Sequence, residues 1–389
     1  ETIHTTEIDL GLSRISQVAK RLAIDFSFAC VITVAGTNGK GTTCAFLENA
    51  LLGESDFGQL VDESTPKVAV YSSPHIECFN ERLRINKCDV DDQSFIAAFE
   101  QIELARAEIS LSYYEYTTLA AFLVLMTVKP NVIILEVGLG GRLDATNIID
   151  ADVAVITSID LDHQAFLGND RESIGFEKAG IMRANQHIII GDPNAPQSVL
   201  NYAKQVNNAQ KVAIDKVKVR NKDFYITNQD SSTKQTWHWQ CIEVSDAGAE
   251  TEFLLSDLTS TYIPQDNVTT ALMVLKQLGV NLTTEKVNAL IEQTKVAGRT
   301  ELFTLKELQG KEVSHRCDVI LDVAHNPHAG RYLAKKLVQF KAQHQYSKII
   351  AVVAMLADKD ISNTLSPLSK TVNEWYIAPL TVPRAATAE

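Results

Sequence analysis

The sequence predicts an α/β protein built on a doubly wound, mostly parallel sheet, with a small antiparallel sheet attached and a smaller α/β domain following it. Three observations predict this. Short β-branched runs alternate with helical patterns, the runs lying at 31–36 (VITVAG), 67–73 (KVAVYSS), 131–138 (NVIILEVG), 152–159 (DVAVITSI) and 187–191 (HIIIG). The runs are continuously apolar rather than alternating, as strands covered on both faces of a parallel sheet must be. The first of them opens into a glycine-rich turn that carries a lysine and leads into a helix pattern.

Helices are expected between the runs at 43–52, 92–109 and 115–128, which gives the repeated βα order of a doubly wound sheet. Within the third, LAAFLVLMTV (119–128) is too short to span a bilayer and reads as a buried helix. From about 211 to 258 the texture changes to short alternating segments such as KVKVRNKDFYITNQ and KQTWHWQCIEV, the pattern of a small antiparallel sheet. Helical patterns return at 266–279 and 283–295, and 319–340 with 349–356 then start a second, Rossmann-like β-α-β series. This restart places a domain boundary near Gly298, dividing the chain into 1–297 and 298–389.

A chain of 389 residues exceeds what one hydrophobic core usually supports, so two domains agree with its length. The net charge of −12 argues against sequence-independent nucleic-acid binding. The six cysteines (30, 44, 78, 88, 241 and 317) form no CxxC pair and read as reduced thiols of a cytoplasmic protein. ETIHTTEIDLG has no basic region followed by an apolar one, so no signal peptide is expected, and PRAATAE has no terminal element behind it, so both ends read as clipped.

The stretch TVAGTNGKGTT departs from the usual phosphate-loop spacing, because Val34 stands where the first glycine would be. What remains is a tighter cradle. Gly36, Gly39 and Gly41 let successive backbone N–H groups turn inward, and Lys40 supplies a point charge for phosphates, with Thr37, Asn38 and Thr42 completing the loop. A phosphate loop works with a metal, and a metal needs carboxylates at the ends of neighbouring strands. Glu136 ends one such strand, where it either caps the edge or ligates Mg2+; the metal is the favoured reading. Ser73 ends another, with a hydroxyl able to complete the shell. His163 follows a fourth strand and, taken alone, reads as an ordinary loop histidine. The pair in HNPH (325–328) fits a turn on the nucleotide side better than a metal site, because a proline stands between the histidines.

TVAGTNGKGTT, YSSPH, FNERLRI, ILEVGLGGRLDATN, TSIDLDH, RESIGFEKAGI, PQDNVTTAL, AGRTE, DVAHNPHA and MLADKD occur in this order. Together they resemble the dihydrofolate synthase/folylpolyglutamate synthase family, relatives of the Mur peptide ligases. Only 53–66 and the 211–258 sheet match poorly. The resemblance implies an ATP-binding domain of the Mur central type at 1–297 and a Mur-type C-terminal domain at 298–389. It implies a ligase in which ATP converts a substrate carboxylate to an acyl phosphate, which the amine of L-glutamate then attacks, with dihydropteroate and folates as acceptors. ATP and two Mg2+ ions are the cofactors implied, with K+ as a further cation.

By the same resemblance Ser73 and Glu136 hold one Mg2+ and His163 with Glu136 the second. Lys178 matches a carbamylated lysine, a modification that turns a cation beside two dications into a ligand; without that motif it would read as a helix lysine near a C-terminus. Asn267, Arg299 and Asp322 match nucleotide-holding positions, and His325 falls with them as a catalytic candidate. Ile8, Asp9, Leu10, Ser112, Leu143, Asp144 and Ala145 match the pteroate-binding positions. Asp144 read alone could as well cap the turn after Arg142. The partners implied are small molecules, with no nucleic acid or membrane, and the chain is expected to be a monomer.

Two rivals remain open at this stage. A Mur-type peptidoglycan ligase would carry a UDP-binding domain before the loop, yet the loop begins by residue 36. A switch or motor ATPase would need a group to orient the attacking water, and no residue singles itself out for that.

Overall fold

A computed structural model describes residues 9–52, 68–208, 216–228, 236–244, 249–260, 263–308, 311–382 and 385–387. They divide into two compact units, one of residues 1–159 with 171–295 and one of residues 160–170 with 296–389.

The first unit holds an eight-stranded sheet. Its strands are β1 (Cys30–Ala35), β2 (Val68–Tyr71), β3 (Leu83–Ile85), β4 (Cys88–Asp89), β5 (Val132–Glu136), β6 (Val153–Ile156), β7 (His187–Ile190) and β8 (Val217–Val219), ordered β4-β3-β2-β5-β1-β6-β7-β8. All neighbours from β2 to β8 pair in parallel, and β3 pairs antiparallel with both β2 and β4. The register explains the unbroken apolar runs. Ile32, Val34, Val132 and Ile134 face one core, whereas Val31, Ile133, Leu135 and Tyr71 face the other. Period-two alternation puts both residue sets indoors, so the central strands are almost wholly apolar, with Thr33 buried in β1 and Glu136 at the end of β5.

The second of these cores is closed by α1 (Ser13–Arg21), α3 (Asp92–Arg106) and α4 (Tyr113–Val128), and the first by α2 (Lys40–Leu52), α8 (Gln265–Gln277) and α9 (Thr284–Gln293). The apolar stretch near 119–128 lies in α4, whose Leu119 to Leu125 are all buried. Short α5 (Gln164–Leu167) falls in the second unit; α6 (Arg171–Ala179) and α7 (Gln197–Asn208) pack together in the first. A small antiparallel sheet of β9 (Phe224–Asn228), β10 (Thr236–Val244) and β11 (Glu250–Thr259) seats Trp237 and Trp239 in the first core. The KVKV run, expected in that small sheet, instead extends the main one: β8 pairs in parallel with β7.

The second unit contains a hairpin of β12 (Glu301–Leu308) and β13 (Lys311–Leu321), then α10 (Pro327–His344), β14 (Ile350–Val353), α11 (Ile361–Leu365) and β15 (Glu374–Ile377). β14 and β15 pair in parallel, and Leu337, Leu368, Val372 and Trp375 build a core under α10. Among the described residues no helix is long and apolar enough to cross a membrane.

Candidate active site

At the end of β1 the backbone turns through Gly36 to Gly39 and enters α2 at Lys40. Two of its glycines are required by space. A Cβ on Gly36 would stand 1.8 Å from the Thr157 hydroxyl, and one on Gly39, at φ +90°, 2.3 Å from Asn267 Oδ1. Residues just beyond β6 pin the loop: Thr37 N donates to Ser158 O at 2.7 Å, while the Thr157 and Ser158 hydroxyls both donate to Asn38 O, at 2.8 and 3.0 Å. Lys40 folds back, donating to Gly36 O at 2.9 Å and Thr37 O at 3.4 Å. The leading N–H groups of α2 lack intrahelical partners by the geometry of any helix, and they carry its positive dipole end. Buried Thr42 sits on this first turn.

Glu136 is the last residue of β5 and pairs in register with Val34. It is only 5 % exposed. Both of its carboxylate oxygens lie 3.7 Å from where a Gly41 Cβ would be, so the carboxylate stands against the loop. Cys44, one turn into α2, feels this neighbourhood: burial pushes its thiol up, Glu136 pushes further, and Lys40 opposes. Ser73 is half-buried just past β2. Lys178, in the last turn of α6, is 4 % exposed. Its segment packs on the 141–142 turn, where Arg142 N donates to Glu177 O at 2.7 Å and the Arg142 guanidinium pairs with the Glu177 carboxylate at 2.8 Å.

No group of three or more His, Cys, Asp or Glu side chains among the described residues forms a metal cluster. The predicted ligand set does not need one, because it draws on a serine hydroxyl and a modified lysine. A buried strand-end carboxylate beside a phosphate loop is a hard oxygen donor of the kind Mg2+ takes, so the residues present fit the ion.

The residues expected to bind pteroate lie elsewhere in the first unit; Ile8 lies outside the described residues. Ser112 caps α4 in a capping box, its hydroxyl accepting from Glu115 N at 3.3 Å and its N–H donating to Glu115 Oε2 at 2.8 Å. Arg14 bridges Glu115, at 3.1 Å, to Asp9, at 2.7 Å. Leu10 and Leu143 are half-buried. Asp144 is buried, and both of its oxygens are taken: Oδ1 accepts from Thr146 N and Oγ1 at 3.0 and 2.7 Å, Oδ2 from Gly138 N and Leu139 N at 3.0 and 2.9 Å. Of the two readings of Asp144, the cap is the one its contacts support. It pins the 138–146 loop and caps the short 3-10 turn Ala145–Ile148. Next to this region Arg82, itself buried, donates to His75 Nδ1 at 2.8 Å and lies over the Tyr113 ring at 5.4 Å. Burial and Arg82 together hold the His75 pKa below its ordinary value.

In the second unit, His163 stands at φ +49° before α5. Its neighbour Asp162 is a junction that the sequence reading missed. Asp162 accepts from Lys359 at 2.9 Å and Asn326 Nδ2 at 3.2 Å, and pairs with His325 Nε2 at 3.3 Å. Burial works against its charge, but His325, His163 and Lys359 outweigh it and hold the carboxyl well below the usual range. These residues line a cavity of about 780 Å³ with Asp160, Arg331 and Asp360. Asn326 caps α10 through Ala329 N at 3.0 Å with Pro327 behind it, so HNPH forms a helix start. Asp322 accepts from Thr300 N at 2.7 Å and Ala324 N at 2.8 Å, and Arg299 is exposed. Asn267, by contrast, belongs to the first unit, against Gly39.

A glycine cradle with a lysine at a helix start, beside a buried strand-end carboxylate, defines a nucleotide-binding α/β protein of the phosphate-loop class. The Mur ligase middle domain model matches residues 34–256, and the model of the Mur ligase glutamate ligase domain matches 299–389. The dihydrofolate synthase/folylpolyglutamate synthase of Escherichia coli (strain K12) is 41% identical over 389 residues, 100% of this chain and 82% of that protein. A solved structure of E. coli FolC with DHPP and ADP superposes with a TM-score of 0.82 at 41% identity, covering 100% of this chain and 83% of that one. Another, of a bifunctional folylpolyglutamate synthase/dihydrofolate synthase with Mn, AMPPNP and L-glutamate, gives a TM-score of 0.81 at 41% identity, with 100% and 83% coverage. The chain belongs to the dihydrofolate synthase/folylpolyglutamate synthase family of the Mur ligases.

The four bonds to Asp144 carry an expected outcome. Asp144→Ala should lower stability by about 2 kcal/mol, as lost caps and buried charged hydrogen bonds do. Urea denaturation reads this directly, and an unchanged midpoint would show that the 138–146 loop holds itself.

Proposed function

We propose that the chain is an ATP-dependent ligase that joins L-glutamate to dihydropteroate, giving dihydrofolate, and extends folates that already carry glutamate. The observation that carries this is the loop with Glu136 against Gly41 and Asn267 against Gly39. DHPP with ADP in one relative, and AMPPNP with L-glutamate in another, support the same set of substrates.

The chemistry asks two anions, a carboxylate and the terminal phosphate of ATP, to approach each other. The amides of Gly39, Lys40, Gly41 and Thr42 would receive the phosphates at the start of α2. Lys40 would exchange the Gly36 and Thr37 carbonyls for phosphate oxygen, and Asn267 would fix the loop's other side. Asn267, Arg299 and Asp322 are proposed to hold the rest of the nucleotide, and His325 to serve the reacting groups. Once the carboxylate is activated as an acyl phosphate, the glutamate amine attacks its carbonyl carbon and inorganic phosphate leaves. A divalent ion, when bound, offsets the charge of the phosphates as they meet the carboxylate. Ser73, Glu136 and a carbamylated Lys178 are proposed as its holders, His163 as a ligand of a second ion, and K+ as a further cation. Carbamylation would turn the Lys178 cation into an anion able to hold a dication. All six cysteines are free, which suits the reducing cytoplasm.

A phosphate-release assay tests the reading. Release should require ATP, Mg2+, L-glutamate and either dihydropteroate or a glutamylated folate, and Glu136→Gln should lower it by roughly a hundredfold or more while the protein stays folded. Turnover driven instead by a UDP-muramyl peptide, or by a protein or polymer, would select one of the rivals.

Lys178→Ala should be inactive and regain part of its turnover with formate or acetate, which can fill the vacated ligand position. Electron density at Lys178 settles the chemistry: a planar three-atom extension on Nζ is expected, and a bare ammonium would remove the modification.

A further inference from the structure

We infer that Arg14 is a positioning residue: its ion pair with Glu115 moors the 9–12 segment to the start of α4 and thereby sets the pocket for the pterin-bearing substrate. The second half of this inference rests on the function proposed above; the mooring does not.

Leu12, at the N-cap of α1, packs against the core but has no side-chain group that could cap the helix. Asp9 instead reaches forward to Arg14, which grips it twice, Nη1 to Asp9 Oδ2 at 2.7 Å and Nη2 to Asp9 O at 3.4 Å. The Nη2 group also donates to Glu115 Oε2 at 3.1 Å, and that oxygen accepts Ser112 N as well. One guanidinium fork therefore ties residues 9 and 112, which lie far apart in sequence and both match pteroate-binding positions. Both ends are rigid. Ile15 and Val18 bury α1 in the core, and Glu115 is buried within the capping box of α4. Both helices also pack on the 145–148 turn that follows Leu143 and Asp144.

The pair is not an efficient stabiliser. Arg14 Nε and Glu115 Oε1 are buried without hydrogen-bond partners. Buried ion pairs with unpaired lone pairs or donors commonly do no better than an apolar pair of the same size. What a planar fork supplies that an apolar contact does not is a fixed distance and direction to two carboxylates at once. Its product is position.

The test uses Arg14→Met, Glu115→Gln, the double variant and Arg14→Lys. Hydrogen exchange of amides 9–12 should speed up in Arg14→Met, whatever the enzyme's substrates. In steady-state kinetics the KM for dihydropteroate should rise roughly tenfold, a loss of about 1.4 kcal/mol, with the KM values for ATP and glutamate within twofold. Arg14→Lys should recover part of this. The double variant, relieved of a lone buried charge, should regain urea stability but not the dihydropteroate KM. Unchanged exchange overturns the mooring. Faster exchange with an unchanged KM, or a double variant whose KM returns with its stability, overturns the positioning role. A wild type that ligates no glutamate defeats the functional reading and that positioning role with it, while the exchange result still decides the mooring.

Discussion

The first unit is organised around a crowded turn. Gly36 cannot carry a side chain because Thr157 fills the space, and Gly39 cannot because Asn267 does. That crowding fixes the direction of every group in the loop. The carbonyl of Asn38 is consumed by two hydroxyls from the end of β6, and those of Gly36 and Thr37 by Lys40. With its acceptors turned inward and paired, the loop can offer only donors outward at the head of α2. An anion cradle results from using up the carbonyls, as much as from the glycines that permit the turn.

Much of the sheet was legible in the sequence because two buried faces leave few polar residues to interrupt a strand. The loop was legible because three glycines around a lysine have few other uses. The hidden parts were partner choices. Thr157 and Ser158 could be read as a motif, yet nothing local says that their hydroxyls end on Asn38. Arg14 and Glu115 lie 101 residues apart, and Asp162 and Lys359 197 apart. Such pairs are set by which helix packs where, and periodicity carries no trace of them. The KVKV run went to the main sheet for a similar reason: an alternating strand suits either edge, and the open side of β7 was available.

Asp144 shows why residue type alone left its role undecided. A buried aspartate in a glycine-rich turn could hold a ligand or hold the turn. The count of donors decides. An ionised carboxylate has about four lone-pair sites, and four N–H and O–H groups of the loop fill those of Asp144. Asp192 is an intermediate case, taking Asn194 N from its own turn and Ile159 N and Arg171 from other segments of the first unit. Asp162 differs in what it gathers: besides the amide of His163 in its own turn, it takes the side chains of Asn326 and Lys359 from distant segments. A saturated local carboxylate is scaffold, whereas one shared among distant cations and amides sets the geometry of a cavity.

Glu136 is placed differently, as a buried strand-end carboxylate beside the phosphate loop. The start of α2 favours negative charge, and Glu136 already supplies some beside Gly41. Phosphate brought to the same amides meets that carboxylate at short range in a buried setting, where repulsion between like charges is strong. Lys40 offsets one charge only. A carboxylate so close to a proposed anion site would therefore oppose phosphate unless a further cation joins them. On the proposed function, a divalent cation would offset this repulsion, and the carboxylate that opposes phosphate would be a group to hold the ion.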